Sequence, residues 1–231
     1  MMSCDTCVVR NRAICASLEK GELDRLNRIG RRVAVHRGQT LMWEGDDSSV
    51  VANVMEGVLK LSTSTADGRE QIVGVVYPSD FIGRPFGSTT QHSVTALSDA
   101  QVCIFTRAAF DDFAREHPEL EHKLLQRTLT ELDRARHWML LLGRKSAGER
   151  VATFLLEMAQ RLAHASCSGT NAVEQFDLPL SRQQMADLLG ITIETVSRQL
   201  TRLRQAGIID LPDRRAVVIL DHEALEAEAG N

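Results

Sequence analysis

The chain has 231 residues, 43% of them hydrophobic, and a formal net charge of −4. That is enough apolar material for two cored domains, and the acidic balance excludes a protein that coats nucleic acid through bulk charge, though not one that reads a particular site. With no signal peptide and no apolar run of membrane-spanning length, a cytoplasmic location without a membrane partner is expected, where clustered cysteines serve metals more often than disulfides.

The five cysteines stand at positions 4, 7, 15, 103 and 167. Cys4, Cys7 and Cys15 fall in a segment with neither helical nor strand periodicity, poorly suited to pack a core and well suited to fold around a metal. No strand or helix N-terminus precedes Cys4 and Cys7 to lower a thiol pKa, which argues against a thioredoxin-like enzyme. Zinc and an iron–sulfur cluster both remain open, because each takes four ligands. Three are local, so the fourth comes from elsewhere. Cys103, in the strand QVCIF, reads in isolation as a small buried hydrophobe; beside a trio one ligand short it becomes the favoured fourth. Cys167, in the polar stretch HASCSGT, reads as a spare surface thiol.

Residues 19–29 predict a short helix with Leu23, Leu26 and Ile29 inward. From 33 to 105, β-rich runs alternate with turns at Gly38-Gln39, Gly45-Asp46, Glu56-Gly57, Asp67-Gly68, Pro78-Ser79-Asp80 and Gly83. Strand-plus-turn spacing of this kind predicts an antiparallel barrel or roll. Residues 109–142 predict one long helical stretch. Leu125, Leu132 and Met139 repeat every seven residues there, and Thr128, Ala135 and Leu142 follow three positions after each. This stripe suits a two-stranded seam, with Glu131 and Arg136 at flanking positions, so a homodimer is expected. Residues 143–148 form a basic break that reads as a hinge, and 151–162 the first helix beyond it.

In residues 181–207, Ser181 caps a helix with Gln184 completing a capping box. Met185, Leu188 and Leu189 give that helix an apolar face, and Gly190 ends it. Thr192 is placed to cap a second helix, on which Ile193, Val196, Leu200 and Leu203 share one side. Glu194, Ser197, Arg198, Thr201 and Gln205 fall on the other. This is the layout of a helix-turn-helix whose second helix enters the DNA major groove. Arg198 can bond guanine O6 and N7, Glu194 can accept from cytosine N4, and Ser197 can serve several base edges. Residues 208–220 predict a β-hairpin wing with Arg214 and Arg215 available to phosphate. Arg182, Arg198, Arg202 and Arg204 against Asp187 and Glu194 give this stretch a local charge of +2. The acidic tail, Asp221, Glu223, Glu226 and Glu228, would repel DNA if it lay close.

A β-roll, a long dimer helix and a C-terminal winged helix together resemble the CRP/FNR superfamily of bacterial transcription regulators over essentially the whole chain. The N-terminal cysteines, Cys103 and the run Glu194-Thr195-Val196-Ser197-Arg198 resemble the oxygen-responsive FNR branch. The resemblance implies an α+β fold: a cysteine-rich segment (1–16), a cyclic-nucleotide-binding-like β-roll sensor (17–108), a dimerisation helix (109–143) and a winged helix-turn-helix (144–231). It implies a [4Fe-4S] cluster on Cys4, Cys7, Cys15 and Cys103 that favours the DNA-binding dimer, and that oxygen converts to [2Fe-2S] and then destroys. It also implies that Glu194, Ser197 and Arg198 read a TTGAT–four bases–ATCAA palindrome in double-stranded DNA, that Leu125, Leu132 and Met139 form the dimer interface, and that RNA polymerase is a partner, with the Asp67-Gly68 turn a contact by analogy. Two features depart from the best-known pattern. Seven residues rather than five separate Cys7 from Cys15, adding Arg10 and Arg12 to the loop. Ala135, with Asp133 nearby, stands where that pattern has an Asp in the seam.

Three rival readings remain. A cyclic-nucleotide-responsive regulator would carry Gly-Glu and Arg-Ser pairs; residues 81–93 lack both, and Pro85 removes a backbone donor, so no cyclic nucleotide is expected. A zinc-stapled DNA-binding protein would not respond to oxygen. A thiol redox enzyme would use Cys4 and Cys7. No paired carboxylates, nucleophile–base arrangement or phosphate loop supports any other enzyme, and none is expected.

Overall fold

The computed structural model describes residues 4–163 and 174–230. The chain divides into two compact units, Met1–Asp133 and Arg134–Asn231. Among the described residues no helix is long and apolar enough to cross a membrane.

The first unit is the expected antiparallel β-roll. Helix α1 (Lys20–Ile29) opens on Glu19, which exchanges capping bonds with Glu22. Eight strands follow: β1 (Gly30–Val35), β2 (Thr40–Met42), β3 (Val50–Glu56), β4 (Leu59–Ser64), β5 (Glu70–Val76), β6 (Phe81–Gly83), β7 (Ser93–Ala96) and β8 (Ala100–Thr106). They form two four-stranded sheets, ordered β1-β8-β3-β6 and β2-β7-β4-β5. Gly57 has φ +83°, and a Cβ there would sit 2.4 Å from the Asp99 carbonyl, so only glycine closes this turn.

Side chains alternate across a strand, and this decides where the chemistry lies. Ala52 and Val54 of β3, with Val102 and Ile104 of β8, fill the roll. Val51, Met55, Cys103 and Phe105 face the other way, into clusters built with the N-terminal segment and the helices. Both faces of β3 are therefore covered, which explains its nearly continuous apolar run VVANVM.

Two local expectations change. The N-terminal segment does pack a core: short 3₁₀ turns at Cys4–Thr6 and Ile14–Ser17 bring Val9, Ala13, Ile14 and Leu18 into buried positions. Such turns carry no 3.6-residue period, so periodicity cannot register them. The long helical stretch is two helices, α2 (Arg107–Arg115) and α3 (Pro118–Arg144). Pro118 starts α3, where its missing N–H costs nothing, and it disfavours helix at His117.

The second unit holds α4 (Ala147–Ala163), β9 (Glu174–Asp177), α5 (Arg182–Leu189), α6 (Ile193–Gln205), β10 (Ile209–Asp210), β11 (Ala216–Ile219) and α7 (His222–Glu228). The wing is a three-stranded sheet, β10-β11-β9; β9 escapes sequence reading because Phe176 is its one clear apolar side chain. The tail is a helix, capped by Asp221 and anchored by the buried Leu225. Arg150 fastens this unit: its guanidinium donates to the carbonyls of Leu142 (2.7 Å), Lys145 (2.9 Å) and Leu189 (3.0 Å), satisfying helix-end acceptors that would otherwise lack partners.

Candidate functional site

In the first unit, Cys4, Cys7, Cys15 and Cys103 all line one cavity, with Arg10, Asn27, Arg32, Asn53 and Met55 among the other walls. Cys4 sits in the first 3₁₀ turn, and the Cys7 N–H donates to its carbonyl at 3.2 Å. Cys15 sits in the second turn. Cys103 stands in β8 opposite Arg32 of β1 and Asn53 of β3. Arg10 shapes the loop between Cys7 and Cys15 by donating to the carbonyls of Cys15 and Leu18, both at 2.8 Å. Arg127 of α3 donates to the Arg12 carbonyl in the same loop and lies 3.9 Å from the Asp80 carboxylate. Cys167 lies outside the described residues.

None of the four cysteines is in a disulfide. Burial, then neighbouring Cys7, push the Cys15 thiol up to about 11, opposed by Arg10. Burial, then Cys4, Cys7 and Cys15, push Cys103 up to about 12. Cys15 and Cys103 resist ionising first because they are buried and then because other thiols stand beside them, so a cationic guest would favour their thiolate forms. A consequence is measurable in the protein with its thiols protonated. The folded state holds these protons above pH 9 while the unfolded chain releases them, so unfolding free energy falls as pH rises from about 9 toward 11. Urea midpoints measured from pH 8 to 10.5 should decline, and less steeply in Cys15→Ala.

Among the described residues no group of three or more His, Cys, Asp or Glu is arranged to hold a metal ion. The thiols surround a space instead, walled by apolar Val9, Ala13, Leu26 and Phe105 and flanked by two arginines. Soft sulfur donors, apolar walls and nearby positive charge suit an anionic iron–sulfur cluster, which spreads its four ligands further apart than one ion does.

On α3, the side chains of Leu125, Leu132 and Met139 are 56%, 43% and 73% exposed, and Leu129 and Leu140 are exposed beside them. Together they place a row of exposed large apolar side chains along one helix.

In the second unit, Ser181 and Gln184 form the capping box (2.8 and 3.2 Å). Gly190 takes φ 62°, and Thr192 Oγ1 accepts from the Thr195 N–H at 3.3 Å. Helix α6 buries Val196, Leu200 and Leu203, leaving Glu194, Ser197 and Arg198 exposed on its outer face. Glu194 is held below the usual carboxylate range by its own backbone N–H and then the Thr192 hydroxyl. Arg198 rests on the Thr195 hydroxyl at 3.2 Å. The local +2 is smaller in the fold: Arg202 is gripped by Glu228 of α7 at 2.6 and 3.0 Å. In the wing, Asp213 accepts from the Arg215 and Ala216 N–H groups, leaving the Arg214 side chain exposed. Sequence reading missed Asn53, Arg127 and Arg150. Only Asn53 left a local trace, as the lone polar residue inside an apolar strand.

A β-roll carrying a cysteine-lined cavity and a winged helix-turn-helix together make the architecture of a DNA-binding transcription regulator. Residues 149–228 match the Crp-like helix-turn-helix domain and residues 32–117 the cyclic nucleotide-binding domain. The chain is 43% identical to the transcriptional activator protein FnrL of Cereibacter sphaeroides, over 99% of this chain and 92% of that protein. It is 40% identical to the nitrogen fixation regulation protein FixK of Bradyrhizobium diazoefficiens, over 98% and 93%. The solved structure of FixK2 from Bradyrhizobium japonicum superposes with a TM-score of 0.77 at 32% identity, covering 86% of this chain and 96% of that one. The chain therefore belongs to the Crp/FNR family of transcription regulators.

Proposed function

We propose that this protein is a cytoplasmic, oxygen-responsive transcription activator that holds a [4Fe-4S] cluster on Cys4, Cys7, Cys15 and Cys103. On this reading it acts as a homodimer at low oxygen and binds a TTGAT-N4-ATCAA-like palindrome. The observation that carries the reading is the convergence of all four cysteines on one cavity; the likeness to a relative named as an activator adds to it. When bound, the cluster supplies iron–sulfur bonds that oxygen breaks. Cys15 and Cys103 would give up their protons to hold it, and Arg10, which donates to the Cys15 and Leu18 carbonyls, would keep the loop in place. The loop meets α3 through Arg127, which turns a change at the cysteines into a change at the helix. Two copies of α3 then bury Leu125, Leu132 and Met139 against each other, spacing two reading heads. Arg198 bonds guanine bidentately, Glu194 accepts from cytosine N4, and Ser197 meets a neighbouring edge. About 5.5 kcal/mol of coupling moves such an equilibrium from almost wholly off to almost wholly on. RNA polymerase is the proposed protein partner, with the exposed Asp67-Gly68 turn a contact.

Purification without air tests this. The protein should be brown, contain iron and acid-labile sulfide, and lose dimerisation and operator affinity together on aeration. A preparation devoid of both elements that binds the operator undiminished would end the reading.

A second reading is favoured by one observation: the β-roll also holds a cavity of about 270 Å³ lined by Arg84, Gln91 and His92, which could take a small effector. Cyclic AMP should leave the melting temperature unchanged; a clear rise would favour the effector.

A further inference from the structure

Asn53 is the single polar side chain on the outward face of β3, between Val51 and Met55. It is 4% exposed, pairs across the sheet with Cys103, and lines the same cavity as the four cysteines. Its Oδ1 is buried with no hydrogen-bond partner among the described residues. Buried amides are nearly always bonded, and an unbonded one destabilises the fold that holds it. Valine, which flanks this site in the sequence, would suit a central strand better. The second amide on the cavity wall is different: Asn27 Oδ1 already accepts from Cys4 Sγ at 3.4 Å. No contact among the described residues satisfies Asn53 Oδ1, and the residue stands on the wall of the cysteine-lined cavity. A half-turn of the amide exchanges oxygen for nitrogen, presenting two N–H donors where electron-rich sulfur is the natural acceptor.

We propose that Asn53 is a positioning residue for the cluster: its side-chain N–H donates to sulfur in the cavity, either an inorganic sulfide or the Cys103 thiolate. The inference rests on the cysteine reading above. A donor aimed at sulfur holds the bound form in place and withdraws negative charge from it, which stabilises the reduced state and raises the reduction potential.

The test uses the full-length protein loaded without air, as wild type, Asn53→Val and Asn53→Thr. Valine and threonine share a shape and differ by one hydroxyl. Asn53→Val should load iron but bleach on the order of tenfold faster at fixed dissolved oxygen, with a more negative reduction potential. Its iron-free form should melt higher than the iron-free wild type, because the unbonded oxygen is gone. Asn53→Thr should recover part of the lifetime and potential. The opposite signs are the discriminating readout, since a purely structural residue would weaken both forms together. That outcome, or bleaching and potential equal to wild type in both variants, overturns the assignment. A wild type that takes up neither iron nor sulfide would overturn the cysteine reading itself, a result distinguishable from a loaded wild type matched by its variants.

Discussion

Cys103→Ala should yield a folded protein that emerges from air-free purification colourless and nearly free of iron. The cysteine is held by β8, which pairs with β1 on one side and β3 on the other, and alanine disturbs neither ladder. Truncating one half-buried sulfur costs the fold about 1 kcal/mol. The loss at the site is far larger. On the proposed reading, a cluster would lose its one ligand on the roll and depend on Cys4, Cys7 and Cys15 of the N-terminal segment alone. Iron and sulfide content, with the visible absorption spectrum, measure this directly, and circular dichroism confirms that the roll persists. Cys167→Ala, in contrast, should keep its colour. Full iron in Cys103→Ala, or its loss in Cys167→Ala, would give the fourth position to the other cysteine.

Arg198→Ala should weaken binding to a palindromic operator by about 1–3 kcal/mol, roughly 5- to 150-fold. Its side chain stands on the exposed face of α6, steadied by the Thr195 hydroxyl, so removal leaves the buried Val196, Leu200 and Leu203 face untouched. The loss should be confined to operators carrying the guanine it reads: replacing that base should cost wild type dearly and the variant little. Titrations on matched and substituted operators at one salt concentration separate this from a phosphate contact, whose removal lowers affinity on every sequence alike. Arg202 is a useful contrast. Committed to Glu228, it offers DNA less than its place in the sequence suggests.

The second unit was the most legible in the sequence because its signals are local. Ser181 with Gln184, Gly190 and Thr192 each act within a few residues, and the structure places caps and turn where those side chains predict. The roll was legible through its turns for the same reason. What escaped depends on partners far along the chain. Nothing near Arg202 announces Glu228, and nothing near Arg12 announces Arg127. The N-terminal segment packs because Val9, Ala13 and Ile14 meet apolar side chains such as Met55 and Leu23, a tertiary effect without periodic trace. The break at Pro118 was visible as a residue but hidden by the seven-residue repeat beginning just beyond it. Cys103 shows both limits: its strand was clear, whereas its nearness to the other three cysteines follows from β8 and the N-terminal turns sharing one face.

Arg127 joins the loop that carries two cysteines of the proposed cluster to the helix that carries the proposed dimer stripe. Thermodynamic linkage makes such a tether run both ways. If an intact metal centre favours paired helices, then pairing, and the operator that rewards it, must tighten the hold on iron by the same factor. Molecules seated at a promoter would then be the last to lose their metal as oxygen rises, and occupancy itself would become a form of memory.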